Sequence, residues 1–422
     1  MDSADQSRRA IEAVWRIEAP RILGALVRWT KDLSTAEELA QEALLAALER
    51  WPQTGVPENP GAWLMTAAKH RATDRARQRA LHDGKAHVLA AQDERDARQA
   101  HGLDEGVADD VLRLMLATCH PVLSVEARVA LTLRLVSGLT TEEIARAYLT
   151  PAPTLAQRLV RAKRTLAEAK VPFEVPLGAA LEERLDAVLE VLYLVFNEGY
   201  AATAGEAYLR PALCEEALRL ARSLQALAPA SSEVHGLAAL LELQASRLRT
   251  RQDASGAPVR LNDQDRARWD QLLIGRGLAA LERAESLARP LGPYTLQAAI
   301  AACHARATRP EDTDWKRIAA LYDALAEVTQ SPVVELNRAV AVAKAYGPEE
   351  GLALVDALVA EGVLRDYHLL PSVRAELLAS LGRSDEARAE FERAAALAHN
   401  TREKELLLAL ARAQGAARSV TR

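Results

Sequence analysis

Apolar residues in this chain recur at intervals of three and four, and the stretch from Leu33 to Trp51 shows the pattern at its clearest. There Ala36, Leu39, Ala40, Ala43, Leu44, Ala47 and Leu48 repeat at helical spacing, while Glu37, Glu38, Gln41, Glu42 and Glu49 stay polar. A period near 3.6 gathers such positions into one stripe, so this is an amphipathic helix with an acidic outer side. Composition points the same way. Hydrophobic residues make up 49% with only 4% aromatic, and much of that content is Ala and Leu, the strongest helix formers. The expected fold class is all-α. At 422 residues the chain is long for one hydrophobic core, which implies roughly two to four units.

Several function classes drop out early. Cys119, Cys214 and Cys303 lie far apart with no Cys-x-x-Cys pair, so neither a disulfide framework nor a zinc ribbon is expected, and the cytosol is the expected location. The segment from Met1 to Glu18 mixes charges without an apolar stretch, and no later stretch is apolar for long enough to span a bilayer; neither export nor membrane insertion is expected. Cys119-His120 and Cys303-His304 are adjacent pairs. Neighbours on a helix diverge by about a quarter turn, and no carboxylate or second cysteine stands at ligand spacing, so no metal is expected. Glu198 and Glu335 sit in apolar surroundings, either as shifted acids or as satisfied buried polar groups. There is no Gly-rich phosphate loop and no G-x-S-x-G motif, so no catalytic residue, enzyme activity or cofactor is expected. The formal net charge of −5 does not advertise nucleic-acid binding, but a whole-chain sum hides basic patches offset by acidic ones.

The distribution of charge is more telling. A first block of three helical segments runs from about Ile11 to Arg79. In the middle one Ser34 or Thr35 is the expected cap, with Glu37 and Glu38 near the positive end of the helix dipole. The stretch from Trp51 to Gly61 carries Pro52, Pro57, Pro60, Gly55 and Gly61 and reads as a loop. A helix from Ala62 to about Ala80 follows, apolar at Trp63, Leu64 and Met65 and basic at Lys69, Arg71, Arg75, Arg77 and Arg79. Residues 81–110 lose periodicity and read as a flexible linker. From Leu123 to Ala169 three helices are delimited: one capped by Ser124 and ended before Gly138, one opened by Thr140-Thr141-Glu142-Glu143 with Ile144, Ala145 and Tyr148 inward, and one opened by Thr150-Pro151. The third has an apolar stripe of Leu155, Leu159, Ala162 and Leu166, and a polar side bearing Thr154, Gln157, Arg158, Arg161 and Arg164, with Lys163 beside them. Two short helices, a tight turn and a basic second helix make a helix-turn-helix whose second helix can lie in a DNA major groove.

On these residues a resemblance becomes specific. The segment from Gly138 to Ala145, followed by Thr154, Arg158-Leu159, Arg161 to Arg164 and Leu166, resembles the domain-four helix-turn-helix of sigma-70-class factors. Asp32-Leu33 with Ala36 to Leu44 is similar to the domain-two helix that grips the β′ clamp helices of RNA polymerase, and Pro60 to Asp74 to the segment that engages the −10 element. The resemblance implies an alternative sigma factor of the extracytoplasmic-function type, with core RNA polymerase and promoter DNA as partners. It implies polymerase contacts at Glu38, Gln41 and Glu42, −10 contacts at Trp63, Lys69, Arg71 and Arg77, and −35 contacts at Thr154, Gln157, Arg158, Arg161 and Arg164. Leu149 stands near the corner where the family usually has Gly, and Ala156 and Val160 replace frequently polar positions. The implied organisation is a domain-two unit at 1–80, a linker at 81–110, a domain-four unit at 111–170, a linker at 171–180 and a helical domain at 181–422.

More than half the chain lies outside the two matched modules. The tail resembles the tetratricopeptide-like extension found in one subgroup of these factors, notably at Val191 to Tyr200. Leu381 to Ala387 with Phe391, Ala394 and Ala395 fits the second half of such a repeat, and Ala345 to Gly351 with Leu354 and Ala357 is a weaker copy about 34 residues upstream. Stacked repeats would offer a concave surface for a protein or peptide partner, and a plain irregular helical bundle supporting the sigma core is the alternative. A DNA-binding regulator that works without polymerase, or a helical scaffold without sigma activity, are the other classes such a chain fits.

Overall fold

The computed structural model of the chain describes residues 3–82, 107–136, 138–147, 150–176, 178–202, 208–287 and 290–420. Among them are eighteen α-helices and no strand beyond one isolated bridge between Gln252 and Pro258. The chain forms two compact units, Met1–Val191 and Leu192–Arg422.

The first unit opens with three helices, α1 (Ser3–Thr30), α2 (Leu33–Thr54) and α3 (Pro60–His82), packed on one another. Ala36, Leu39, Ala40, Ala43 and Ala47 of α2 are buried as their spacing requires, and so are Ile22, Leu26 and Val27 of α1 and Leu64 and Ala68 of α3. Three boundaries differ from the sequence reading. Lys31, at φ 55°, closes α1 in a left-handed turn, and Asp32 caps α2 at once, its Oδ1 accepting from Thr35 N at 2.6 Å. Ser34 and Thr35 therefore lie inside the helix. At its other end α2 continues through Pro52 to Thr54, because Trp51 is only 2% exposed and its burial holds the last turn. Proline there costs a single intrahelical bond. Finally, α3 starts at Pro60, with Asn59 Oδ1 accepting from Ala62 N at 3.0 Å.

Helix α4 (Val107–Thr118) lies against α1, where buried Asp110 meets Arg28 at 3.3 Å and Arg113 at 3.2 Å. Then come α5 (Val125–Leu135), α6 (Thr141–Ala147) and α7 (Ala152–Glu168). Ser124 caps α5 as expected, and Gly138 at φ 64° turns the chain towards α6. In α7 the cap position belongs to Pro151, so Thr150 stands one residue outside it. Pro153 falls in the first turn, where amides have no intrahelical acceptor. Tyr148, Leu149 and residues 83–106, most of the expected linker, lie outside the described residues.

Helix α8 (Ala179–Tyr200) begins in the first unit, where the Arg184 guanidinium donates to Leu116 O at 3.0 Å. The second unit continues through α9 (Pro211–Leu227), α10 (Ser232–Ala245), α11 (Gln271–Leu287), α12 (Pro293–Arg306), α13 (Trp315–Thr329), α14 (Pro332–Tyr346), α15 (Pro348–Glu361), α16 (Leu369–Ser380), α17 (Ser384–Leu397) and α18 (Thr401–Val420). Successive helices pack chiefly on their neighbours in sequence, which is how a stacked helical repeat builds its core. Ala387, Phe391, Ala394 and Ala395 of α17 are all buried, as the repeat spacing requires. In α15 the inward residues are Leu352, Val355 and Leu358, whereas Leu354 is half-buried and Ala357 exposed. The cause is Gly351. It sits so close to α14 that a Cβ there would lie 2.4 Å from Ala343 Cβ, and this contact sets the rotation of the helix.

Candidate polymerase and promoter interface

On α7 the apolar stripe of Leu155, Leu159, Ala162 and Leu166 is fully buried against α5 and α6. Its burial fixes the rotation of the helix. Thr154, Gln157, Arg161 and Arg164 are exposed and Arg158 half-exposed, and at about 100° per residue these five share one face. Arg158 and Arg161 line a shallow cleft of about 330 Å³ with Ser124, Ala127, Thr154 and Gln157. Arg164 is held by Glu168, Nε to Oε1 at 2.6 Å. Lys163 belongs to the opposite side. Its Nζ lies 2.7 Å from Glu37 Oε2 on α2, beside a pocket of about 300 Å³ lined by Asp32, Ser34, Lys163, Leu166, Lys170 and Phe173. Here the acidic helix and the basic helix touch.

The outer side of α2 carries Glu38 and Gln41, both exposed, and Glu42, half-exposed. Leu45, 58% exposed, continues the same line one turn further on. Sequence reasoning passed it over. The signal was there, since an apolar residue off the buried stripe has no core to enter. Val160 of α7, 64% exposed, is a second such residue.

The candidate −10 residues are less unified. Trp63 is half-buried and packs edge-on against Trp51 with ring centres 5.3 Å apart. Arg71 is exposed. Lys69 is half-buried, and burial together with the nearby Arg28 holds its pKa below the ordinary lysine value. Arg77 is on α3, but its side chain lies outside the described residues. The structure therefore packs Trp63 on Trp51 in the last turns of α2, while Lys69 lies near Arg28 of α1.

The remaining chemistry-bearing residues have structural partners. Cys119 is wholly buried beside Thr132 at 3.6 Å, and burial pushes its thiol up to about 11. His120 Nδ1 accepts from Val122 N at 3.1 Å. Glu198 meets Arg210 at 3.2 Å, and Glu335 meets Arg338 at 2.8 Å, so both are acids in ion pairs.

Comparison with known proteins gives this geometry its context. Residues 15–81 match Sigma-70 region 2, and residues 113–166 match Sigma-70, region 4. Residues 184–285 match a family of unknown function, DUF6596. The chain is 46% identical over 387 residues to "Uncharacterized protein R00370" of Rhizobium meliloti (strain 1021), covering 91% of each chain. It is 26% identical over 195 residues to "Probable ECF RNA polymerase sigma factor SigI" of Mycobacterium tuberculosis (strain ATCC 25618 / H37Rv), covering 43% of this chain and 67% of that one. No solved structure matches. With α1 to α3 in the place of region 2, α4 to α7 in the place of region 4 and a helical extension behind them, the chain belongs to the sigma-70 family as an alternative sigma factor of the extracytoplasmic-function type, which directs transcription initiation.

Proposed function

We propose that the outer side of α2, with Glu38, Gln41, Glu42 and Leu45, holds the β′ clamp helices of core polymerase; that α3 and the loop before it, with Trp63, Lys69, Arg71 and Arg77, capture the −10 element; and that Thr154, Gln157, Arg158, Arg161 and Arg164 on α7 read the −35 element. Residues 1–80 and 111–170 then act as separate DNA-reading modules, and residues 181–422 as a helical domain that takes a protein or peptide partner. Sigma-70 factors are not enzymes. The polymerase makes the bonds, so recognition needs no cofactor, and the work takes place in the cytoplasm where polymerase and promoter meet. Among the described residues no helix is long and apolar enough to cross a membrane.

The observation that carries this reading is the single polar face of α7, presented outward by a fully buried opposite stripe. Arginine there neutralises phosphates or grips guanine, and Gln157 can bond adenine. The reading also calls for movement. Promoter elements about 25 base pairs apart, at roughly 3.4 Å each, are separated by about 85 Å, whereas Lys163 and Glu37 stand 2.7 Å apart. Binding both elements at once must part α2 from α7.

Run-off transcription with purified core polymerase tests the function directly. The full chain is expected to yield specific transcripts that the double variant Arg158→Glu, Arg161→Glu no longer gives. Undiminished transcripts from that variant would remove the −35 assignment.

A further inference from the structure

The helical extension contains a cluster of cations with which, among the described residues, no carboxylate forms an ion pair, Glu311 and Asp312 acting on Arg266 only from a distance. Arg247 and Arg251 flank the short turn after α10, and Arg266 stands just before α11. The Arg251 guanidinium carbon lies 3.6 Å from the centre of the Tyr200 ring and 5.2 Å from that of Tyr208, and Arg251 donates to Tyr208 Oη at 2.8 Å. Arg247 stands 5.7 Å from the ring centres of Tyr200 and Trp269 and donates to Tyr200 Oη at 2.5 Å and to Gln244 Oε1. Arg266, 6% exposed, donates to His304 O, Ala307 O and Thr313 Oγ1. Every one of these partners is neutral.

The carboxylates nearby are committed to other bases. Glu198 is paired with Arg210 at 3.2 Å, Glu242 with Arg222 at 2.7 Å, Asp312 with Arg309 at 2.8 Å and Glu403 with His368 at 3.2 Å. Among the described residues no carboxylate reaches Arg247, Arg251 or Arg266 within 4.0 Å. Three N–H donors of the cluster, Arg251 Nε, Arg266 Nε and Trp269 Nε1, are buried without an acceptor. Burial holds Arg247 below the ordinary arginine value, with Arg251 pressing in the same direction. His304, driven down to about 3 by burial and by Arg247 and Arg266, stays neutral and adds no charge of its own.

Partly buried cations whose direct hydrogen-bond partners are all neutral, with donors left unsatisfied, are costly and become favourable when an anion joins them. The cluster is also reachable, because Arg247, Arg251, Tyr200 and Tyr208 each keep part of their surface exposed. We propose that the extension carries a binding site for a compact oxyanion, a phosphate or carboxylate group, gripped by Arg247 and Arg251 and positioned by Tyr200 and Tyr208. The planar guanidinium fork suits such a group, since it offers two parallel N–H bonds. The aromatic rings hold both forks in place without neutralising them. This site is built wholly from residues of the second unit and uses none of the residues proposed to read the promoter.

The test is thermal unfolding of the full chain, followed by tryptophan fluorescence while inorganic phosphate or acetate is titrated against sodium chloride at matched ionic strength. A saturable rise in Tm is expected in at least one arm, as mass action requires of a ligand bound only by the folded state. Phosphate alone would mark the site as one for phosphate groups, acetate alone as one for carboxylates. Arg251→Gln is expected to raise the half-saturating concentration at least tenfold, and Tyr208→Phe to raise it less; the second variant keeps the test open should the first not fold. Arg158→Glu with Arg161→Glu must leave the shift in place, which excludes binding at the DNA-reading face. No saturable shift in either arm, or a shift unchanged in Arg251→Gln and Tyr208→Phe, would overturn the proposal.

Discussion

Arg158 and Arg161 are close to one helical turn apart on α7, above the buried Leu159 and Ala162 that orient them. Each phosphate neutralised contributes about 0.9 to the slope of log affinity against log salt. Reversing both charges should weaken promoter binding by the holoenzyme and lower that slope by roughly 2, measured by fluorescence anisotropy over a salt series. Loss of affinity with an unchanged slope would mean that the two arginines read bases and leave the phosphates to others. His304 makes a prediction of a different kind. Its folded pKa, near 3, lies below the unfolded value of 6.5, so below pH 6.5 the unfolded chain binds a proton that the folded chain refuses. Stability of the second unit is therefore full above pH 6.5 and falls as pH drops from 6.5 towards 3, by up to about 1.4 kcal/mol per pH unit. His304→Gln should flatten that fall in urea titrations followed through Trp315, whose ring centre lies 5.2 Å from the imidazole.

Helix existence was legible from spacing, whereas the ends of α2 and the starts of α3 and α7 were not, for a reason visible at each of them. Periodicity reports which side of a helix is buried, whereas a cap depends on one backbone conformation that neighbours impose. Asp32 caps α2 because the left-handed Lys31 ends α1 directly before it. Asp32→Ala should cost about 1 kcal/mol of first-unit stability, read as a lower urea midpoint at constant m. Gly351 offers a sharper contest. Alanine would gain up to about 1 kcal/mol of helix propensity on α15, but its Cβ would meet Ala343 Cβ at 2.4 Å, and overpacking of that kind costs about 1–3 kcal/mol. The clash prevails, so Gly351→Ala is expected to destabilise the second unit by about 1 kcal/mol. A stabilised variant in the same urea assay would show that α14 and α15 can move apart.

At the scale of the whole molecule, the contact between Lys163 and Glu37 is the feature that bears most on promoter reading. Energetically it is minor, since a partly exposed ion pair contributes at most about 1 kcal/mol. On the proposed reading it has to open before two distant elements are read at once. Fluorophores placed on exposed Arg50 and Glu168 through introduced cysteines should transfer energy efficiently in the free protein and poorly in the promoter complex. The native thiols do not interfere, because Cys119, Cys214 and Cys303 are buried and burial raises the pKa of each. Undiminished transfer on promoter binding would contradict the two-element reading. What the sequence determined by itself is everything carried by local pattern: the all-α class, the stripe that faces the core in α2 and α7, the polar face of α7, and the capping of α5 by Ser124. Each follows from residues within a turn or two of one another, where helix geometry fixes the outcome. Tertiary structure alone decided which distant charges meet or fail to meet. Lys163 finds Glu37, Arg184 finds Leu116 O, and Arg247 and Arg266 gather on the Trp269 ring. These pairings depend on how whole helices dock, which is set by contacts such as Gly351 on Ala343 that leave no periodic trace in the chain.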